Sequence, residues 1–261
     1  MKANYHTHTK RCKHAQGEDE EYVLSAIENG YEVLGFSDHT PWAYKEPFSS
    51  STRMDLDMIE DYVISIRELK ERYASKIEIL LGLECEYFPE YMDSLKEMIK
   101  KYDIDYIIFG NHFYKTDEYR EYYGRVCSDD IYMERYLRGA IEGLKTGLYS
   151  YLCHPDVFMR ARRVFDDVAR DISYKICRYA KENDVLLEYN LEGMRIEDEG
   201  REAHYPCAGF WKIASEVGNK AIIGVDAHRP DSLATDHYRS IAKKRLSDLS
   251  IEVVDELPFK F

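Results

Sequence analysis

Ala221-Ile222-Ile223-Gly224-Val225-Asp226-Ala227-His228 is the stretch that decides the fold. An apolar run that ends abruptly in Asp and His is the pattern of a strand buried on both faces of a parallel sheet, delivering polar side chains at its carboxyl end. Tyr106-Ile107-Ile108-Phe109 followed by Gly110-Asn111-His112 repeats it. So does Val33-Leu34-Gly35-Phe36-Ser37-Asp38-His39, stopped by Thr40-Pro41. Further strands are expected over residues 77–83, running into Glu84-Cys85-Glu86, over 149–153, ending at His154, and over 185–190. Between them, apolar residues recur at helical spacing, as Ile59, Tyr62, Val63, Ile66 and Leu69 do within 55–74. Other helices are expected over 18–29, 90–101, 165–183, 210–217 and 235–246, with an irregular charged insertion at 191–204 and a long tyrosine-rich loop at 113–129. Strands alternating with helices imply parallel pairing. Seven strong strands and a weaker one at 251–253 predict an α/β fold, a closed TIM-like barrel, with 261 residues forming one domain over 1–261.

Near the start stands Asn4-Tyr5-His6-Thr7-His8-Thr9. In an extended strand, positions i and i+2 share a face, so His6 and His8 project together. Two neutral imidazoles on one face can chelate a metal ion. Such a pair is a weak signal alone. What strengthens it is that Asp38 and His39, Glu84, His112, His154, and Asp226 and His228 fall at the same place in the repeat, the carboxyl end of a strand, where barrels of this kind carry their active sites. Singly, each has a plainer reading: His112 and His154 as core histidines, Asp38 and Asp226 as helix caps. Scattered structural histidines have no reason to gather at one rim.

The formal net charge of −13 argues against duplex nucleic acid or an anionic membrane surface as the main partner, since both need a positive face. A small anionic substrate remains compatible, because bound divalent cations reverse the local sign. No apolar run approaches the roughly 18 residues of a transmembrane helix, and the first residues lack the apolar core of a signal peptide. Six cysteines without a CxxC pair read as reduced thiols, and the expected compartment is the cytosol.

The combination of HxH, His14 a few residues on, a strand ending Asp38-His39, Gly82-Leu83-Glu84, two isolated histidines and a late Asp226-Ala227-His228 resembles the PHP (polymerase and histidinol phosphatase) superfamily, and its stand-alone histidinol-phosphate phosphatases in particular. The resemblance covers residues 6 to 228. It implies a distorted (β/α)7 barrel holding three divalent ions, zinc, manganese or iron. One ion would take His6, His8, Glu84 and Asp226. A second would share Glu84 and add His112 and His154. The third would take His14, His39 and His228. Glu84 and Asp226 then serve catalysis through the metals, and Asp38 is an outer residue or proton carrier.

The activity implied is hydrolysis of L-histidinol phosphate in histidine biosynthesis, by in-line attack of a hydroxide bridging two of the ions. Arginines would hold the phosphate in a planar fork. Arg160, Arg162 and Arg163 follow the fifth strand and Arg195 the sixth, and Arg160 and Arg195 are the expected contacts. Asn190, Glu192 and tyrosines of the 113–123 segment are expected to meet the ammonium and imidazole of the substrate. Two other readings stand beside this one: a phosphoesterase acting on nucleotides or other small esters, and a scaffold that has lost catalysis. The full ligand set argues against the second.

Overall fold

The structure, a computed structural model, describes every residue except Glu46. Eight parallel strands pair in chain order: β1 Ala3–Asn4, β2 Val33–His39, β3 Glu78–Cys85, β4 Tyr106–Phe109, β5 Tyr151–Leu152, β6 Leu186–Asn190, β7 Lys220–Gly224 and β8 Glu252–Val253. The principal helices lie between them: α1 Asp19–Glu28, α2 Ile59–Tyr73, α3 Met92–Lys101, α4 Tyr123–Val126, α5 Asp130–Lys145, α6 Met159–Arg162, α7 Asp167–Glu182, α8 Leu191–Asp198, α9 Ala208–Val217 and α10 Asp236–Asp248. Local chemistry starts and stops them. Asp129 and Asp166 cap α5 and α7 through their side chains, and Gly218 ends α9 at φ 81°.

The sheet curls into a distorted TIM-like barrel. After β1, Thr7 forms a parallel bridge with Ala227, just beyond β7. His8 N donates to Ala227 O at 2.9 Å and Ala227 N to His6 O at 3.1 Å. β8 pairs instead with the start of β7, where Lys220 meets Glu252 and Ala221 meets Val253. The seam therefore joins strands one and seven at the carboxyl rim, with the eighth strand appended at the opposite end.

Alternation sorts side chains between two buried layers. Tyr5, Leu80, Tyr106, Tyr151, Leu186 and Ile222 fill the barrel interior. Leu34, Leu81, Ile107, Leu187 and Ile223 face the helices. Tyr106 spans the interior, its hydroxyl donating to Tyr5 O at 2.8 Å. Continuing the interior register toward the rim gives Glu84 from Leu80 and Asp226 from Ile222, so the period of two places both carboxylates over this apolar floor.

Three expectations change. The HxH segment is not a continuous strand: β1 ends at Asn4, whose side chain donates to His6 O and Thr7 Oγ1 and accepts from Val225 N, taking the place of ladder bonds. His6 and His8 still share a face because they flank the Thr7 bridge. The expected irregular insertion at 191–204 opens with α8, capped by Asn190, whose Oδ1 accepts from Gly193 N. Its buried Leu191, Met194 and Ile196 are diluted by four charged residues, which hid the period. Within the expected 113–129 loop lies the short helix α4.

Candidate metal centre

All nine residues expected at the rim converge there. Glu84 is central and buried, with 1% of its surface exposed. Its Oε2 lies 3.5 Å from both His6 Nε2 and His8 Nε2. Asp226 Oδ1 closes that group at 3.4 and 3.1 Å from the same two nitrogens. On its other side Glu84 Oε1 lies 3.3 Å from His112 Nε2 and 3.0 Å from His154 Nε2. His39 Nδ1 is 3.0 Å from Glu84 Oε2. Beyond it His14 Nε2 and His228 Nε2 stand 2.9 Å apart. His154 and Asp226 hold φ of 26° and 55°, a region that non-glycine residues rarely adopt.

Hydrogen bonds on the far side of the rings set their tautomers. His6 Nδ1 lies 2.7 Å from Glu188 Oε1, and His112 Nδ1 lies 3.0 Å from Glu86 Oε1. His14 Nδ1 faces Cys12 O at 2.8 Å and His228 Nδ1 faces Asp226 O at 3.0 Å. Carboxylates and carbonyls only accept, so in each ring Nδ1 carries a proton and Nε2 is the nitrogen left to a metal once the ring is neutral. Ring nitrogens then meet head-on, His14 Nε2 with His228 Nε2 and His112 Nε2 with His154 Nε2, the latter at 3.2 Å. Facing lone pairs repel unless a cation or proton lies between them. His6 Nε2, His8 Nε2 and His39 Nδ1 are buried without a hydrogen-bond partner among the described residues. Imidazole nitrogens with unused lone pairs around carboxylate oxygens fit divalent metal ions.

In the metal-free chain, protons take the place of cations on part of this cluster. Burial opposes charge on His6 and His112, but Asp226, Glu188 and Glu84 raise the first, and Glu84 and Glu86 the second, well above the usual value. Burial pushes the Glu84 and Asp226 carboxyls up, but the surrounding histidines outweigh it and hold both well below the usual range. Burial also opposes charge on His8, yet Asp226, Asp38 and Glu84 raise it to about 9. His39 and His228 are pushed well below the usual value, by burial first and then by neighbouring histidines, and stay neutral. Cys12 lies beside His14 and His228, but burial keeps its thiol protonated.

The centre opens into a cleft of about 870 Å³. Arg160 lines it and has no salt-bridge partner among the described residues. Arg195 also lines it, but its guanidinium is engaged by Glu192, with Nε to Oε2 at 2.7 Å, and by Glu199. Arg162 is turned away, paired with Asp130 and Asp166. Asn190 is 1% exposed; its amide donates to Glu188 and Asp226. It does not reach the cleft. Asp38 is fully buried behind His8, with Oδ1 3.5 Å from His8 Nδ1, and accepts from Thr9 and from His39 N at 2.8 Å. That position sets Asp38 behind the His8 ring, away from the cleft.

The PHP domain model matches residues 4–192. The chain belongs to the PHP domain family. Asp226 and His228 lie beyond the matched part, and the bridge between Thr7 and Ala227 brings them to the PHP rim. A Deinococcus radiodurans protein named "Probable histidinol-phosphatase" is 27% identical over 236 residues, covering 86% of this chain and 85% of the relative. One of the same name from Schizosaccharomyces pombe is 25% identical, covering 96% and 88%. The crystal structure of histidinol phosphate phosphatase from Lactococcus lactis, complexed with zinc, L-histidinol and phosphate, superposes with a TM-score of 0.71 at 18% identity, covering 98% of each chain.

Around this PHP centre stand residues that the sequence did not single out. Glu86 holds His112 and is itself gripped by Arg53, at 2.7 and 3.0 Å, with Trp42 Nε1 at 3.1 Å. Arg53 also reaches Asp117 at 2.9 Å. Glu188 holds His6. A charged residue next to a ligand in sequence carries no mark of its own. The one available signal is Glu188 inside an apolar strand, where an unpaired carboxylate would be costly.

Proposed function

We propose that this chain is a metal-dependent phosphomonoesterase that hydrolyses L-histidinol phosphate to L-histidinol and phosphate, in the histidine biosynthesis of the cytosol. The observation that carries the reading is the Glu84 carboxylate, whose two oxygens face separate groups of lone-pair-bearing imidazoles at the base of an arginine-rimmed cleft. His6, His8, Glu84 and Asp226 would hold one divalent ion, Glu84, His112 and His154 a second, and His14, His39 and His228 a third. Zinc, manganese and iron all suit imidazole and carboxylate donors. Such ions activate a bound water and offset charge on phosphoryl oxygens.

The chain's own groups bind and select. Arg160, with no carboxylate partner among the described residues, offers the guanidinium fork to the phosphate. Arg195 holds both oxygens of Glu192 at the edge of the cleft, and that positioned carboxylate is the group that would meet the substrate ammonium. Phe113 and Tyr122, with ring centroids 5.6 Å apart beside His112, offer an aromatic wall to an imidazole. The 1–261 chain acts as one barrel unit. Among the described residues, no helix is long and apolar enough to cross a membrane.

Phosphate release from a panel of esters tests the reading. A site built to pair an ammonium and an imidazole rejects esters that lack them. The kcat/KM for L-histidinol phosphate is expected to exceed that for p-nitrophenyl phosphate or a nucleoside monophosphate by at least about a hundredfold, roughly 3 kcal/mol. A flat profile, or a nucleotide at its top, selects the general phosphoesterase reading. No turnover of any ester by metal-loaded protein selects the scaffold.

A further inference from the structure

β6 is the strand of the seven-strand ring that supplies none of the nine rim residues, yet it carries two polar residues on its interior face, Glu188 and Asn190. Both are buried, at 0% and 1% exposure. We infer that Glu188, seconded by Asn190, is a positioning residue that sets the His6 ring for metal binding and ties three ligand-bearing segments into one frame. The inference rests on the metal reading above.

The geometry is specific. Glu188 Oε1 lies 2.7 Å from His6 Nδ1. Glu188 Oε2 accepts from His154 N at 2.9 Å and from Asn190 Nδ2 at 3.0 Å. The same Asn190 amide donates to Asp226 Oδ2 at 3.1 Å. One carboxylate–amide pair thus touches the segments bearing His6, His154 and Asp226. β7 makes room for it: a Cβ on Gly224 would lie 1.8 Å from Glu188 Oε1.

Only a carboxylate satisfies this site. Three donors converge on it: His6 Nδ1–H, His154 N–H and one Asn190 amide proton. A glutamine in its place has a single acceptor oxygen and must turn its NH2 toward one of those donors. The cheapest relief is for His6 to move its proton to Nε2, leaving Nδ1 to accept. That tautomer removes the lone pair that faces Glu84 and Asp226. Loss of an outer carboxylate on a ligating histidine generally costs roughly 10–100-fold in metal affinity.

The test uses zinc-loaded full-length protein. Zinc affinity is measured by competition with a chromophoric chelator for wild type, Glu188→Gln and Gly224→Ala. The proton-bearing nitrogen of His6 is read from long-range 1H–15N spectra of 15N-histidine-labelled protein. Wild type is expected to show Nδ1–H with Nε2 bound to zinc. Both variants are expected to lose roughly 10–100-fold in affinity for the weakened site, although neither altered residue is a ligand. Wild type carrying the proton on Nε2, or Glu188→Gln retaining affinity within about twofold, overturns the inference. Should Glu188→Gln fail to fold, the wild-type tautomer decides. Wild type that binds no zinc overturns the parent metal reading, an outcome distinct from these.

Discussion

Gly110 leaves the space that Glu84 occupies: a Cβ at residue 110 would sit 2.3 Å from Glu84 Oε1 and 2.4 Å from His112 Cε1. Neither neighbour is the loose end of a surface side chain, so the clash cannot be relieved without moving a candidate ligand. Gly110→Ala is expected to fold and to lose metal and phosphatase activity together. Metal content by elemental analysis, beside the melting temperature, checks this. Full metal content with normal turnover would refute the seating of Glu84 at the centre.

Glu84→Gln removes the charge that both imidazole groups face. The expected loss of activity exceeds the roughly 10–100-fold typical of an outer hydrogen-bond partner, with metal lost in parallel. Near-normal turnover would show that Glu84 bridges nothing.

Proton release tests the electrostatics. In the metal-free protein His8 is raised to about 9 against the opposition of burial, so its ring holds a proton at neutral pH. A ligating nitrogen must give that proton up. Zinc binding at pH 7 is therefore expected to release protons, and apparent affinity to rise with pH above neutrality. For folding of the metal-free chain the sign is the reverse. The raised His8 stabilises fully below its unfolded value of about 6.5, and that contribution fades as pH climbs through the folded value. Calorimetry in two buffers of different ionisation enthalpy measures the protons, and none at pH 7 contradicts the prediction.

Arg53 is 1% exposed and pinned between Glu86 and Asp117. Arg53→Met keeps most of the volume but strands two buried carboxylates, at an expected cost of about 3–5 kcal/mol in denaturant unfolding. Burial pushes the Glu86 carboxyl up, but Arg53 and His112 hold it well below its usual range. Its contribution is present above the unfolded value of about 4.3 and is lost as pH falls. The gap between wild type and variant is expected to narrow in acid. A gap that stays constant from neutral pH into acid would show that Glu86 and Asp117 are not the partners that matter.

Arg160→Ala is expected to lower turnover on every phosphate ester, whereas Glu192→Gln should hurt L-histidinol phosphate more than p-nitrophenyl phosphate. Steady-state kinetics on both esters separates the two roles, and equal losses for Glu192→Gln would remove it from selection.

The sequence by itself determined the parallel α/β architecture and the residue types gathered at one rim. Both are written in short-range patterns. An apolar run of four or five residues marks a doubly buried strand, and the period of two carries Glu84 from Leu80 and Asp226 from Ile222 onto the interior face. Only the tertiary structure decided what stands behind those residues. His6 meets Glu188 across 182 positions of chain, and Arg53 meets Asp117 across 64. No local pattern encodes a partner so distant, because the curl of the sheet and the Thr7–Ala227 seam choose it. The same holds for Asn190 and Arg195. Their residue types suited substrate binding, but Glu188 and Asp226 claim the Asn190 amide, and Glu192 and Glu199 claim the Arg195 guanidinium. A side chain's chemistry is a property of the residue, whereas its availability depends on which groups the fold packs around it.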